Sequence, residues 1–259
     1  MRWRCCSRGG NGRGRPQGHI VTQHKNPARL AAALKKHLRI HGSAEHAAGV
    51  QWFFKEEIQS HGWYTDALRR YAGVVHTSLA GDPAFLLAVT DALFEGRVLE
   101  EKVLAVLLAQ RSLRHFGASE FGRFERWLGH VASWADHDAL AMFLLGPLLI
   151  ADPKRVRRVF TWAKSRSRWR RRAAAVALIH GVRKGLFKDE AAAITDRLLG
   201  DDDDMVQKGL GWLLREWCKY RPADAIPVVM KIRRDTPRLV LRTACETLPP
   251  AQRRRILAR

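Results

Sequence analysis

The chain has 259 residues, 46% of them hydrophobic and 27% charged, which is ample for a buried core and excludes a wholly disordered protein. A formal net charge of +21, with 34 Arg against 12 Lys, favours a polyanionic partner: DNA, RNA or an acidic membrane surface. The four cysteines, Cys5, Cys6, Cys218 and Cys245, form no CxxC pair and no Cys/His cluster, which argues against a disulfide framework and a zinc site and makes a reducing cytoplasm the expected location.

Residues 1–26 read as a disordered basic tail, because SRGGNGRGRPQG offers almost nothing to bury. Residues 1–44 carry ten basic side chains and no acidic one. The tail lacks the bulky apolar face of a membrane anchor, and the longest apolar run, Ala139–Ala151, is too short to span a bilayer, so no membrane partner is expected. From Pro27 onward apolar residues recur at spacings of three and four. The pattern predicts helices over 27–40, 44–60, 65–78, 83–95, 98–113, 118–130, 134–150, 153–164, 168–183, 187–199, 204–219, 222–233 and 236–247. Turns are marked at Gly81-Asp82, Gly117, Asp152-Pro153, Gly200 and Arg221-Pro222. Helices joined by short turns predict an all-α, HEAT-like or armadillo-type solenoid over residues 27–259, with a concave basic face.

Four stretches carry candidate chemistry. In LEEKVLAVLLAQRSLRHF (99–116), Glu100, Glu101 and Lys102 read as helix-start charges on a solvated face. In SWADHD (133–138), Ser133 and Asp136 have capping-box spacing, so a helix should start at Trp134, and Trp134 and Asp138, four apart, should project together. His115 and His137 are possible bases, but a lone histidine is more often a surface or core residue. SRSRWRRR (165–172) closes a run, 154–172, of ten basic residues without an acid. There Trp169 and Arg172 share a helix face, flanked by Arg170 and Arg171. In VQKGLGWLLREWCKY (206–220), Lys208, Trp212, Arg215 and Lys219 form a basic face with an indole in its middle, opposite the core stripe Val206, Leu210, Leu213 and Trp217. Such a face suits a phosphate backbone, with the indole on a sugar or base. The competing reading packs Trp212 on a neighbouring helix and leaves the cations solvated. No Ser/His/Asp arrangement, phosphate-binding glycine loop or HExxH motif occurs.

In order, EEKVLAVLL, FERWLGHVASWADHDAL, SRWRRRAAAVALI and VQKGLGWLLREWCK resemble the DNA alkylation repair family of AlkD-like glycosylases, most specifically in VQKGLGWLLRE. The resemblance runs from about residue 44 to residue 257. It implies a HEAT-like solenoid that excises cationic alkylpurines, such as 3-methyladenine and 7-methylguanine, from duplex DNA as a monomer without cofactor or metal. It assigns Asp138 as the catalytic carboxylate, Trp134 and Trp212 as its aromatic partners, and Arg172 and Arg215 as phosphate contacts. Trp169, Arg170, Arg171, Lys208 and Lys219 complete the DNA face. Ala135 stands where the family usually has aspartate or tryptophan, with Asp136 one place later. A non-enzymatic HEAT-like protein for branched or distorted DNA is the first alternative, and a helical RNA-binding scaffold the second.

Overall fold

The computed structural model describes residues 25–258, so the predicted tail, apart from Lys25 and Asn26, lies outside the described residues, as do Cys5 and Cys6. The first helices are α1 (Pro27–Ile40), α2 (Ala44–Gln51), α3 (Thr65–Leu79), α4 (Pro83–Phe94), α5 (Leu99–Arg111) and α6 (Ala118–Trp127). Next comes α7 (Trp134–Leu140), which passes through a π-turn at Ala141–Leu145 into α8 (Gly146–Ala151). Then follow α9 (Arg157–Trp162), α10 (Arg168–Val176), α11 (Ile179–Arg183), α12 (Lys188–Leu198) and α13 (Asp204–Tyr220). The C-terminal helices are α14 (Pro222–Ile232), α15 (Arg238–Ala244) and α16 (Pro250–Leu257). The described residues contain no strand, only an isolated bridge between Gln59 and Val98.

Local chemistry sets many of these boundaries. Asn26 accepts from the N–H groups of Ala28 and Arg29 at 2.9 and 3.1 Å, and Pro27 opens α1 where a helix needs no amide donor. Asp82 with Pro83 starts α4 in the same way, and Asp203 caps α13. The predicted helix over 44–60 ends instead at Gln51, whose side-chain amide donates to the carbonyls of Phe54 and Glu56 and accepts from Ile58 N–H. That amide folds residues 52–58 into a braced loop. The predicted helix over 168–183 is two helices, and α16 was not foreseen because Ile256 is its one buried apolar side chain.

Helices pack mainly on their near neighbours in sequence, α1 on α4, α4 on α5, α10 on α13 and α13 on α15, which is the stacking of an α-solenoid. One apolar core runs through the stack from Leu30 to Ile256. The run Trp134–Ala151 is long and apolar enough to cross a bilayer by composition, but 61% of it is buried, as befits a core helix. Helix α7 packs on both α5 and α10, and those two contacts position the site described next.

Candidate active site

The approach to α7 is held from below by buried charge. Lys102 is fully buried on α5, where its ammonium donates to the carbonyl of Phe94 at 2.8 Å and to that of His130, and stands 4.5 Å over the Phe94 ring. It lies 4.0 Å from Asp136. Asp136 accepts in turn from Ala132 N–H at 2.9 Å, from Ser133 N–H at 2.7 Å and from the Ser133 hydroxyl. Three hydrogen-bond donors and one ammonium thus converge on one buried carboxylate at a helix N-terminus, where the helix dipole also favours negative charge. The helix starts at Trp134 as the spacing predicts, and Asp136 does the capping despite Ala135.

Four residues after Trp134, Asp138 is only 17% exposed. Arg172 on α10 grips it with two parallel bonds, Nε to Oδ1 at 2.9 Å and Nη2 to Oδ2 at 2.8 Å. The third Arg172 nitrogen, Nη1, donates to the Met205 carbonyl at 2.5 Å. Gly209 on α13 makes room for this side chain, since a Cβ there would stand 2.9 Å from Arg172 Cγ. His137 Nδ1 lies 2.7 Å from Asp138 Oδ1, and its Nε2 lies 3.0 Å from the Trp169 carbonyl oxygen. Burial pushes the Asp138 pKa up, but Arg172 and His137 outweigh it and bring the carboxyl down to about 2. Asp138 is therefore ionised at neutral pH. His137 is fully buried inside this network, out of reach as an external base.

Trp134 stacks on Phe54 with ring centroids 4.9 Å apart. Phe54 belongs to the loop braced by Gln51, and that loop is tied to distant helices as well. Lys55 pairs with Asp204 on α13 at 2.7 Å, and Glu56 pairs with Arg168 on α10. The loop's far end is fixed by Glu100, which accepts from the Ser60 hydroxyl at 2.6 Å and the N–H groups of His61, Gly62 and Trp63 at 2.8, 2.9 and 3.2 Å. Gly62 has φ +77°, a left-handed conformation that turns three successive amides toward one carboxylate. Glu101 pairs with Lys35 at 3.4 Å and meets His61 at 3.1 Å. Glu100, Glu101 and Lys102 are all buried, so the expectation of a solvated face is corrected here. They are the struts under both loops that frame Trp134 and Asp138. Their sequence signal was three consecutive charges opening an otherwise apolar helix.

A sequence model of the DNA alkylation repair enzyme family matches residues 34–248. The chain belongs to that family. A solved structure described as a predicted DNA alkylation repair enzyme from Enterococcus faecalis has the same fold, with a TM-score of 0.73, 18% identity, and coverage of 81% of this chain and 97% of that one. No curated protein matches. Family membership gives this DNA alkylation repair protein a role in DNA repair, with DNA as its partner.

Several residues read as the DNA face are occupied within the fold. Arg172 is buried on Asp138, so it departs from the expectation of a solvent-facing phosphate clamp. Arg171 pairs with Asp201 at 2.6 Å and donates to the carbonyls of Ser165 and Arg166. Trp169 is buried, with the Arg168 guanidinium 4.6 Å from its ring. On α13, Arg215 pairs with Glu246 at 2.7 Å and Glu216 at 3.2 Å, and Lys208 pairs with Asp204 at 3.0 Å. Trp212 is half-buried against the core. Lys219 is exposed beside the Tyr220 ring, and half-buried Arg170 makes no ion pair with any described residue. Of the ten predicted residues, Asp138 and Arg172 are joined across the α7–α10 contact, with Trp169 behind His137 and Trp134 one turn before Asp138. The charge run hid this division of labour, because the compensating carboxylates lie on other helices. Among the described residues, no cluster of three His, Cys, Asp or Glu side chains is placed to hold a metal ion.

Proposed function

We propose that this protein is a monofunctional DNA glycosylase that hydrolyses the N-glycosidic bond of cationic alkylated purines, 3-methyladenine and 7-methylguanine, in duplex DNA. The observation that carries this reading is an ionised, oriented carboxylate one helical turn after an indole. Asp138 Oδ1 accepts from Arg172 and His137, while Oδ2 accepts, among the described residues, from Arg172 alone. A carboxylate offers about four acceptor positions, so one on Oδ2 remains for a water or a developing cation.

An N3- or N7-alkylated purine already carries positive charge. When its glycosidic bond breaks, the bonding electron pair leaves with the base and neutralises it, and positive charge passes to the deoxyribose in an oxocarbenium-like transition state. Asp138 stabilises that charge, a contribution of roughly 3–4 kcal/mol for a well-placed group. Water then adds its oxygen to C1′ and releases its proton to solvent. Trp134 and Trp212 offer electron-rich faces to the same cation. No general acid is needed because the leaving group is activated beforehand. Arg170 and Lys219 are the cations best placed to meet phosphate. A monomer working on the nucleoid in the cytoplasm, with no cofactor, belongs to the same reading.

The test uses one duplex sequence carrying 7-methylguanine, hypoxanthine or uracil, with abasic sites revealed by alkaline cleavage. Excision of 7-methylguanine alone is the expected result. Efficient uracil removal would contradict a mechanism that depends on a charged leaving group. One observation favours the alternative, a DNA-binding protein without excision activity: Arg172 already neutralises Asp138. That reading requires tight binding of the 7-methylguanine duplex with no abasic product.

A further inference from the structure

We propose that His137 is held as an imidazolium in the folded protein, and that this buried cation is a positioning residue for the Asp138 carboxylate. Each of the ring's two nitrogens faces a group that can only accept. Nδ1 lies 2.7 Å from Asp138 Oδ1, and Nε2 lies 3.0 Å from the carbonyl oxygen of Trp169. An ionised carboxylate and a backbone carbonyl have no proton to give. A neutral imidazole has one N–H and one lone pair. Whichever tautomer it adopts, it would point a lone pair at an oxygen across a hydrogen-bond distance. Only the doubly protonated ring donates to both.

The position makes the mismatch costly. His137 is fully buried, so water cannot enter to donate the missing hydrogen, and the Trp169 backbone is fixed in α10. The surrounding charges are mixed. On its own helix the ring faces Asp138, with Asp136 nearby, and both favour the cation. From α10 it meets the Arg172 charge, which opposes it, and the Trp169 ring at 5.7 Å. Burial is the largest influence and pushes the His137 pKa down. Burial of a neutral ring, however, leaves a repulsive lone-pair contact that burial alone does not count. The hydrogen-bond geometry decides for the charged form, with the second proton drawn from solvent as the chain folds.

The consequence is mechanical. Arg172 and the imidazolium approach Asp138 Oδ1 from two sides and link α7 to α10 through the ring. They leave the carboxylate one orientation, with the open acceptor position on Oδ2. The positioning role rests on the reading of Asp138 as the reacting carboxylate, whereas the protonation state does not.

The two parts are tested separately. The protonation state is read from the nitrogen-15 NMR signals of the full-length protein, with the His137 resonances assigned by their loss in His137→Gln. Measured at about pH 7.5, a unit above the ordinary imidazole pKa of about 6.5, both ring nitrogens should carry protons. A bare ring nitrogen at that pH overturns the proposal, whether or not the protein excises any base. Positioning is read by single-turnover excision with His137→Val. The rate should fall about tenfold or more while DNA affinity is retained, and His137→Gln, whose amide nitrogen still donates, should recover part of it. A near-normal rate in His137→Val overturns positioning. If the Val variant does not fold, the wild-type spectrum still decides the protonation state, and His137→Leu, closer to the ring in volume and equally unable to donate, takes its place, a near-normal rate again overturning positioning.

Discussion

Removing Arg172 should harm folding before it harms DNA binding. Its guanidinium is buried in a two-pronged pair with Asp138, and breaking such a pair leaves the partner charge uncompensated, at a cost of about 3–5 kcal/mol. Arg172→Ala should therefore lower the denaturation midpoint strongly, and combining it with Asp138→Asn should cost much less than the two separate losses together. Equal, additive losses would show that the two groups do not act as a pair. Titration separates half-buried Asp138 from buried His37. The Asp138 pKa is depressed to about 2 from an ordinary 3.8, so its contribution, roughly 2 kcal/mol, is complete above pH 3.8 and is lost as pH falls through about 2. His37 has the same sign at higher pH, from a different cause. Burial, with His41 beside it, lowers its pKa from 6.5 to about 4, and its Nε2 has no hydrogen-bond partner among the described residues. The unfolded chain thus binds more protons between those values, and stability should fall as pH drops from 6.5 to about 4. His37→Leu should flatten that limb in pH-dependent melting, and an unchanged slope would exclude His37 as its source. Trp134 and Asp138 were legible because spacing along one helix places them together. The Arg172 pair was not, since its carboxylate lies 34 residues away on another helix.

At the scale of elements, the start of α5 carries more than its sequence suggests. Glu100 receives four donors from residues 60–63, three of them backbone amides. Glu100→Ala leaves those amides without a partner, at a cost of about 1–3 kcal/mol for each one that water cannot reach. Faster hydrogen exchange at residues 61–63 and a lower melting temperature are expected, with Glu100→Gln intermediate because it retains one acceptor oxygen. Unchanged exchange at those amides would mean that Glu100 does not hold the loop. Periodicity located nearly every long helix, because burial of one face sets both spacing and helix. It overran α2 by about nine residues, from Gln51 to residue 60. Beyond Gln51 the backbone bonds to a side-chain amide and to a carboxylate some forty positions away, and no local pattern records such partners.

For the whole molecule, the net charge of +21 is divided between cations committed to internal carboxylates and cations left for a polyanion. Deleting residues 1–24 removes Arg2, Arg4, Arg8, Arg13 and Arg15 but keeps the Asn26 cap of α1. DNA affinity at low salt should fall while the melting temperature stays constant, and a large loss of melting temperature would show that these residues contribute to the fold. Arg170→Ala should reduce the salt dependence of binding by about one unit of slope, and an unchanged slope would remove Arg170 from the phosphate contacts. The solenoid was legible from helix length and turn spacing, whereas the internal neutralisation of so many arginines emerges only once the helices are stacked. The role proposed for Asp138 is to stabilise a developing cation, and single-turnover excision of 7-methylguanine by Asp138→Asn decides it. The assay is run below the variant's melting transition, with DNA affinity measured alongside. Excision should be abolished while affinity is equal or higher, because the lost charge repels phosphate. Near-wild-type excision by the folded variant would contradict that role.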